Sequence, residues 1–70
     1  METKLTLKAA RVNANYRIED VAPILMVTPG TISNWESGKV IPRADKLFEL
    51  CNLYGVSRDS IILSTNSAES

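Results

Sequence analysis

The sequence predicts an all-α fold built as a bundle of five short helices. Apolar residues recur at helical spacing, and no segment shows the sustained alternation that is typical of a half-buried strand. Helix caps also divide the chain into helix-length segments, most clearly the pair Thr28-Pro29 and the later glycines Gly38 and Gly55. Because 70 residues suffice for only one small domain, the helices are expected to share a single core.

The first two helices are predicted from apolar spacing and from their caps. Thr6 is the expected N-cap of helix one, which ends near residues 13–15. Helix two is expected within residues 19–26, although Pro23 interrupts it. If Asp20 caps helix two, Pro23 lies in the first turn, where a missing N–H has no helical partner to lose.

Helix three has the clearest boundaries. Thr28 is the expected N-cap, and Pro29 occupies the first helical position, where its fixed φ suits the helix. The helix is expected to end at Ser37, with Gly38 as its C-cap. The connection from helix two is left with about three residues, 26–28, which is the length found in a helix-turn-helix motif.

Helix four is expected to begin at Ile41-Pro42 and to stop before Gly55. Its apolar stripe repeats at i, i+3, i+4 and i+7 and consists of Leu47, Leu50, Cys51 and Tyr54. Ser57 is expected to cap a fifth helix that holds residues 61–63. Residues 1–63 therefore form one predicted domain, and the serine-rich residues 64–70 are a predicted disordered polar tail.

The composition excludes several classes of protein. A single cysteine, Cys51, cannot form an internal disulfide, and the chain has no histidine for a zinc finger or for His-based catalysis. No nucleophile–base pair, phosphate-binding glycine loop or metal-ligand cluster is present in the sequence. We therefore expect no enzymatic activity, no cofactor, no metal and no small-molecule substrate, and Cys51 is expected to be a small buried apolar residue.

Charge and hydropathy restrict the partners. Eight basic and eight acidic residues cancel, so the bulk charge argues against a general polyanion binder. Binding to nucleic acid would have to depend on where individual charges lie. No run of about 18 apolar residues occurs, so we expect a soluble, cytoplasmic protein that does not interact with membranes.

One combination of residues is more specific than periodicity. Residues 31–39 read Thr-Ile-Ser-Asn-Trp-Glu-Ser-Gly-Lys, and residues 54–57 after helix four read Tyr-Gly-Val-Ser. With Leu-Lys-Ala-Ala-Arg at residues 7–11, this order resembles the Cro/C1-type (XRE-like) helix-turn-helix domain of phage repressors and bacterial regulators. The resemblance covers about residues 5–63 and implies a lambda-repressor-like fold. In size the chain resembles the small switch proteins of temperate phages, of Cro or modulator-of-repression type.

The resemblance implies that helix three enters the major groove of a DNA operator while helix two lies across the backbone. Asn34 is the strongest candidate base reader, because its amide can pair bidentately with adenine. Further candidate base contacts are Ser33, Thr31 and Pro29. Candidate contacts to the DNA backbone are Arg17, Thr28, Ser37, Lys39 and Arg43. Arg11 and Glu36 occupy matching family positions and are expected to form a structural ion pair.

The departures from the family pattern keep a second function open. Pro29 and Gly30, at the start of the recognition helix, carry no side-chain hydrogen-bonding group, and Ile18 stands where the family often has a glutamine that binds phosphate. These features favour an antirepressor or modulator that docks on a cognate repressor in the bacterial host cytoplasm. The expected docking surface consists of Ile18, Pro23, Met26 and Pro29. The DNA-binding alternative implies a homodimer on paired half-sites.

Overall fold

The computed structural model describes residues 4–63 of the chain. Within them the fold is mostly helical, but it has four α-helices instead of the five predicted, together with one short 3-10 turn and one pair of short strands. The elements, in chain order, are β1 (Leu5–Thr6), α1 (Leu7–Asn13), α2 (Ile18–Leu25), α3 (Pro29–Ser37), α4 (Ala44–Tyr54), a 3-10 turn (Arg58–Ser60) and β2 (Ile61–Ile62). The predicted polar tail, residues 64–70, lies outside the described residues.

The cap signals place four helix boundaries correctly, those at Thr6, Thr28, Gly38 and Gly55. The Thr6 hydroxyl accepts a hydrogen bond from the Ala9 amide at 3.1 Å, so Thr6 caps α1 as expected. Gly38 and Gly55 end α3 and α4 with φ of 85° and 72°. This left-handed conformation is one that glycine adopts without a steric penalty.

Helix α2 begins earlier than predicted, and Asp20 is not its cap. The N-cap position is Arg17, and Asp20 lies in the first turn, where its Oδ2 accepts a hydrogen bond from the Arg17 amide at 2.9 Å. Pro23 therefore lies in the helix interior and removes one backbone hydrogen bond there. The carboxylate of Asp20 stabilises the start of α2 from inside the first turn, which a search for a preceding cap residue does not detect.

The predicted fifth helix is wrong. A 3-10 turn follows Ser57, and Ile61 and Ile62 are extended and pair in parallel with Leu5 and Thr6. Consecutive β-branched residues favour this conformation, since their side chains pack well on a pleated surface. Helix α4 also starts at Ala44, later than the Ile41-Pro42 signal indicated.

The core lies where the four α-helices meet and is closed by β2. Its members are almost entirely inaccessible to solvent: Leu7, Ala10, Val21, Ala22, Leu25, Ile32, Trp35, Leu47, Leu50, Cys51, Tyr54 and Ile61. Cys51 is a free, buried thiol on the apolar stripe of α4, as expected. Within residues 4–63, no helix has the length and apolar composition needed to span a membrane.

Candidate nucleic-acid interface

Helices α2 and α3 form a tight helix–turn–helix unit. The turn comprises residues 26–28 and begins with Met26, whose φ of 62° reverses the chain direction at the end of α2. The Val27 amide donates to the Ala22 carbonyl at 2.9 Å, which closes the end of α2. Ile32 and Trp35 are buried on the inner side of α3, so the opposite side of this helix is turned to solvent.

The solvent-facing side of α3 ends at exposed Ser37. Its earlier residues, which we term the readout face, are Pro29, Gly30, Thr31, Ser33 and Asn34. Pro29, Gly30 and Ser33 are exposed, whereas Thr31 and Asn34 are half-buried. The structure therefore brings all four sequence-predicted base contacts onto one face of one helix. Gly30 has no side chain and the other four side chains are short, so little of the readout face projects beyond the helix backbone.

The hydroxyls at the start of α3 are already partly used. Thr28 Oγ1 accepts a hydrogen bond from the Thr31 amide at 3.2 Å and lies 3.0 Å from Thr31 Oγ1. Within residues 4–63, by contrast, neither the Ser33 hydroxyl nor the Asn34 amide group makes a side-chain hydrogen bond. Ser33 and Asn34 are therefore the members of the readout face whose polar groups are available to a partner.

The candidate contacts to the DNA backbone differ in how free their charged groups are. The Arg17 and Arg43 side chains are 80% and 89% exposed, and each lies close to a carboxylate, with N···O distances of 3.7 Å to Glu19 and 4.0 Å to Asp45. Such exposed pairs are weak and can exchange for phosphate. Lys39 is exposed and has no ion-pair partner in the described part of the chain.

Ser37 is less available than its exposure indicates. Its hydroxyl donates to the Asn34 carbonyl at 3.2 Å and accepts a long bond from the Lys39 amide at 3.4 Å. These bonds stabilise the end of α3, where backbone carbonyls lose their helical partners. Ser37 therefore has an internal structural role, and a contact to phosphate would have to share its hydroxyl.

Arg11 and Glu36 form a two-bond ion pair between α1 and α3. Arg11 Nε donates to Glu36 Oε2 at 2.7 Å, and Nη2 donates to Oε1 at 3.2 Å. The remaining Arg11 Nη1 donates to the Tyr16 carbonyl at 2.9 Å, in the loop before α2. The hydrogen bond to Glu36 raises the pKa of Arg11 despite its burial, so the guanidinium is a permanent cation that ties α3 to α1.

A second contact that holds the helix–turn–helix unit, which we term the Lys46 brace, comes from α4 and was not predicted from the sequence. Lys46 Nζ donates to the Leu25 carbonyl at 2.9 Å and so places a positive charge at the C-terminus of α2. The contact holds the point where α2 enters the turn. No local pattern could have indicated it, because the two residues are 21 positions apart and the acceptor is a backbone carbonyl.

The electrostatics of the two helix starts differ. The first turn of α2 contains Glu19 and Asp20, which offset its positive end. The first turn of α3 contains no acidic residue, and Glu36 near its other end is neutralised by Arg11. Phosphate therefore meets less repulsion at the start of α3 than at the start of α2.

The four residues of the alternative docking surface differ in how exposed they are. Ile18 is half-buried and packs against the core, so less of its side chain is exposed than a docking surface requires. Pro23 and Pro29 are exposed, and Met26 in the turn is 87% exposed. The exposed apolar part of this surface thus lies at the turn and its flanks.

A braced helix–turn–helix unit that presents the outer face of its second helix defines the class of helix-turn-helix DNA-binding proteins. The family model for the helix-turn-helix domain matches residues 7–61, more than half of the chain. The chain belongs to this family, in its Cro/C1 (XRE) type, which consists of DNA-binding transcription regulators. No significant match was found among curated proteins or among solved structures.

Proposed function

We propose that this chain is a sequence-specific DNA-binding regulator in which α3 lies in the major groove and α2 crosses the phosphate backbone. The observation that carries the proposal is the readout face, where the Ser33 and Asn34 side chains are unpaired within residues 4–63 and α3 is held by the Arg11–Glu36 pair. A fixed helix with free donors and acceptors suits direct reading of base edges.

Each residue has a distinct role in this proposal. The Asn34 amide pairs with an adenine edge, Ser33 and Thr31 contact neighbouring bases, and Pro29 contacts a thymine methyl group. Contacts to the sugar–phosphate backbone come from Arg17, Thr28, Ser37, Lys39 and Arg43. These backbone contacts supply the salt-dependent part of the affinity, which the neutral bulk charge does not provide.

We propose further that the protein acts as a homodimer on paired half-sites and belongs to a phage lytic or lysogenic switch. A small α3 contact area supports dimerisation, since one helix with few base contacts gains specificity when two copies read half-sites about 34 Å apart. Support for the phage role comes from the resemblance in size and motif order to small switch regulators. Occupation of a promoter would then repress or modulate transcription.

The proposal is tested by titrating the purified protein onto a duplex from the region upstream of its own coding sequence at physiological salt. A scrambled duplex of the same length and composition is the matched control. We expect tighter binding to the upstream duplex and a linear fall of log K with log salt concentration. Equal affinity for the two duplexes would contradict sequence-specific reading.

A second candidate function is an antirepressor that binds a cognate repressor and changes its DNA binding. The exposure of Met26, at 87%, favours it, because flexible exposed methionines are common on protein-binding surfaces. The same titration separates the two functions when the repressor encoded nearest to this protein is added. Absence of binding by the protein alone, together with loss of the repressor–DNA complex, would favour the antirepressor.

A further inference from the structure

Gly30 is a glycine that the fold itself does not require. It is the second residue of α3 and has helical backbone geometry, unlike Gly38 and Gly55, whose φ is positive. A Cβ built at Gly30 would meet only Thr28 Oγ1, at 3.9 Å, which is an ordinary van der Waals contact. Alanine would therefore fit at this position without any rearrangement.

Glycine at such a position lowers the stability of the helix. It is among the weakest helix formers because the unfolded chain gains conformational freedom from it. Neither a turn nor a close contact within residues 4–63 compensates for this loss at Gly30. A destabilising residue without a function inside the fold indicates that space is needed by something outside it, and Gly30 lies on the readout face.

The other members of α3 indicate the same need for close approach. The nine residues of this helix include no arginine, lysine or glutamine, and its one charged side chain, Glu36, is held by Arg11. The available readers, Ser33 and Asn34, are short. They can touch base edges only if the helix axis lies deep in the groove.

The dimensions of the groove make this requirement concrete. The major groove is about 12 Å wide and about 8.5 Å deep, and a helix with its side chains is about 10 to 12 Å across. Such a helix just fits the groove, so the length of the side chains that point toward the bases sets how closely its backbone can approach the floor. A helix whose outer face carries only small side chains can lie deeper in the major groove.

We propose that Gly30 determines specificity by its lack of a side chain, because it lets the start of α3 approach the bases closely enough for Ser33 and Asn34 to read them. The inference rests on the proposed DNA-binding function and adds the mode of contact. In this mode of contact, Ser33 and Asn34 reach the base edges only when α3 lies deep in the groove. The absence of side-chain hydrogen-bonding groups at Pro29 and Gly30 then helps base reading, because it allows the helix to approach the bases.

The test is a series at one position, Gly30→Ala and Gly30→Val, compared with the parent protein. A duplex selected by the parent from a random-sequence library serves as the probe. Gly30→Ala should raise Tm by about 4 °C, because alanine is the better helix former, and should weaken binding about tenfold. Gly30→Val should weaken binding further because it adds more volume.

The matched control is Asn52→Ala, which improves helix propensity at an exposed position of α4. It should raise Tm without changing the affinity for the duplex. If Gly30→Ala and Gly30→Val bind as tightly as the parent, the close-approach inference is overturned while the DNA-binding function stands. If the parent selects no duplex at all, the proposed function is overturned, and the inference with it.

Discussion

Arg11 and Glu36 pair side-on, with two hydrogen bonds of 2.7 and 3.2 Å between a guanidinium on α1 and a carboxylate near the end of α3. Their side chains are only 10% and 9% exposed. The pair ties α3 to α1 and leaves the Ser33 and Asn34 side chains of the readout face without a hydrogen-bond partner within residues 4–63. The side chain that positions α3 and the side chains proposed to read bases are thus different members of the same helix.

Neutralising Glu36 should destabilise the fold strongly. Glu36→Gln leaves the Arg11 cation buried with a weaker partner, and loss of one member of a buried pair costs about 3 kcal/mol. Urea denaturation followed by circular dichroism measures the change. The matched control is Glu19→Gln, which loses an exposed pair with Arg17 and a charge in the first turn of α2 and should cost no more than about 1 kcal/mol. Similar losses in both variants would show that burial does not strengthen the Arg11 pair.

Removing the Lys46 brace should loosen the entry to the turn. Lys46→Met keeps most of the apolar stem but loses the 2.9 Å hydrogen bond to the Leu25 carbonyl, at a cost of about 1 kcal/mol. Amide hydrogen exchange should accelerate at the end of α2 in this variant. Lys8→Met, at an exposed position of α1, is the control and should leave the exchange rates unchanged. Unaltered protection near Leu25 in Lys46→Met would rule out the brace.

The sequence predicted the parts of this fold that are encoded locally. Thr28-Pro29 and Gly38 define α3 because a cap, a proline and a glycine act on the turn in which they occur. The pairing of Leu5 with Ile61 escaped prediction because a two-residue strand is too short to show any period. Long-range contacts of this kind depend on how the ends of the chain meet, which no window of sequence contains.

The candidate site, too, was predicted from the sequence only where local spacing determines it. Helical spacing correctly indicated that Ile32 and Trp35 face inward, and the readout face followed from it. The availability of each polar group did not follow, because it depends on contacts such as the hydrogen bond from Ser37 to the Asn34 carbonyl. The role of Lys46 was missed because its partner is a carbonyl on another helix.

Met26 holds a left-handed conformation that glycine would adopt more easily. Its φ is 62° and its side chain is 87% exposed, so little packing is lost when it is replaced. Met26→Gly should stabilise the fold by about 1 kcal/mol, measured by thermal denaturation. If the turn docks on a repressor, the same variant should also lose that association. A lower Tm for Met26→Gly would mean that the methionine side chain stabilises the turn.

The stability of the fold should decline at alkaline pH through Tyr54. Burial, reinforced by the nearby Glu36 carboxylate, raises the pKa of Tyr54 to about 12 from its ordinary value of 10.0. The folded state therefore keeps the phenol neutral where the unfolded chain ionises it. This contribution is fully present below pH 10 and is lost as the pH rises toward 12.

Comparing the parent with Tyr54→Phe isolates this contribution. The denaturation midpoints of both are measured from about pH 8 to about pH 12, a range that includes the ordinary pKa of tyrosine. The parent should lose more stability than Tyr54→Phe above pH 10, because phenylalanine has no proton to release. Tyr16→Phe is the control, since it removes the phenol whose ring lies 6.2 Å from that of Tyr54 and leaves Tyr54 in place. Parallel pH profiles for the parent and Tyr54→Phe would exclude Tyr54 as the source.

Base reading and phosphate contact should separate between Asn34 and Lys39. Asn34→Ala removes an amide that is unpaired within residues 4–63, so it should weaken binding to the selected duplex by about 1 to 3 kcal/mol and relax the preference at one base pair. Lys39→Ala should weaken binding to every duplex and reduce the salt slope by about one. Titrations of both variants at several salt concentrations, on the selected duplex and on its single-base variants, measure both effects. A uniform loss across all duplexes in Asn34→Ala would assign Asn34 to the backbone, and an unchanged salt slope in Lys39→Ala would place Lys39 outside the contact.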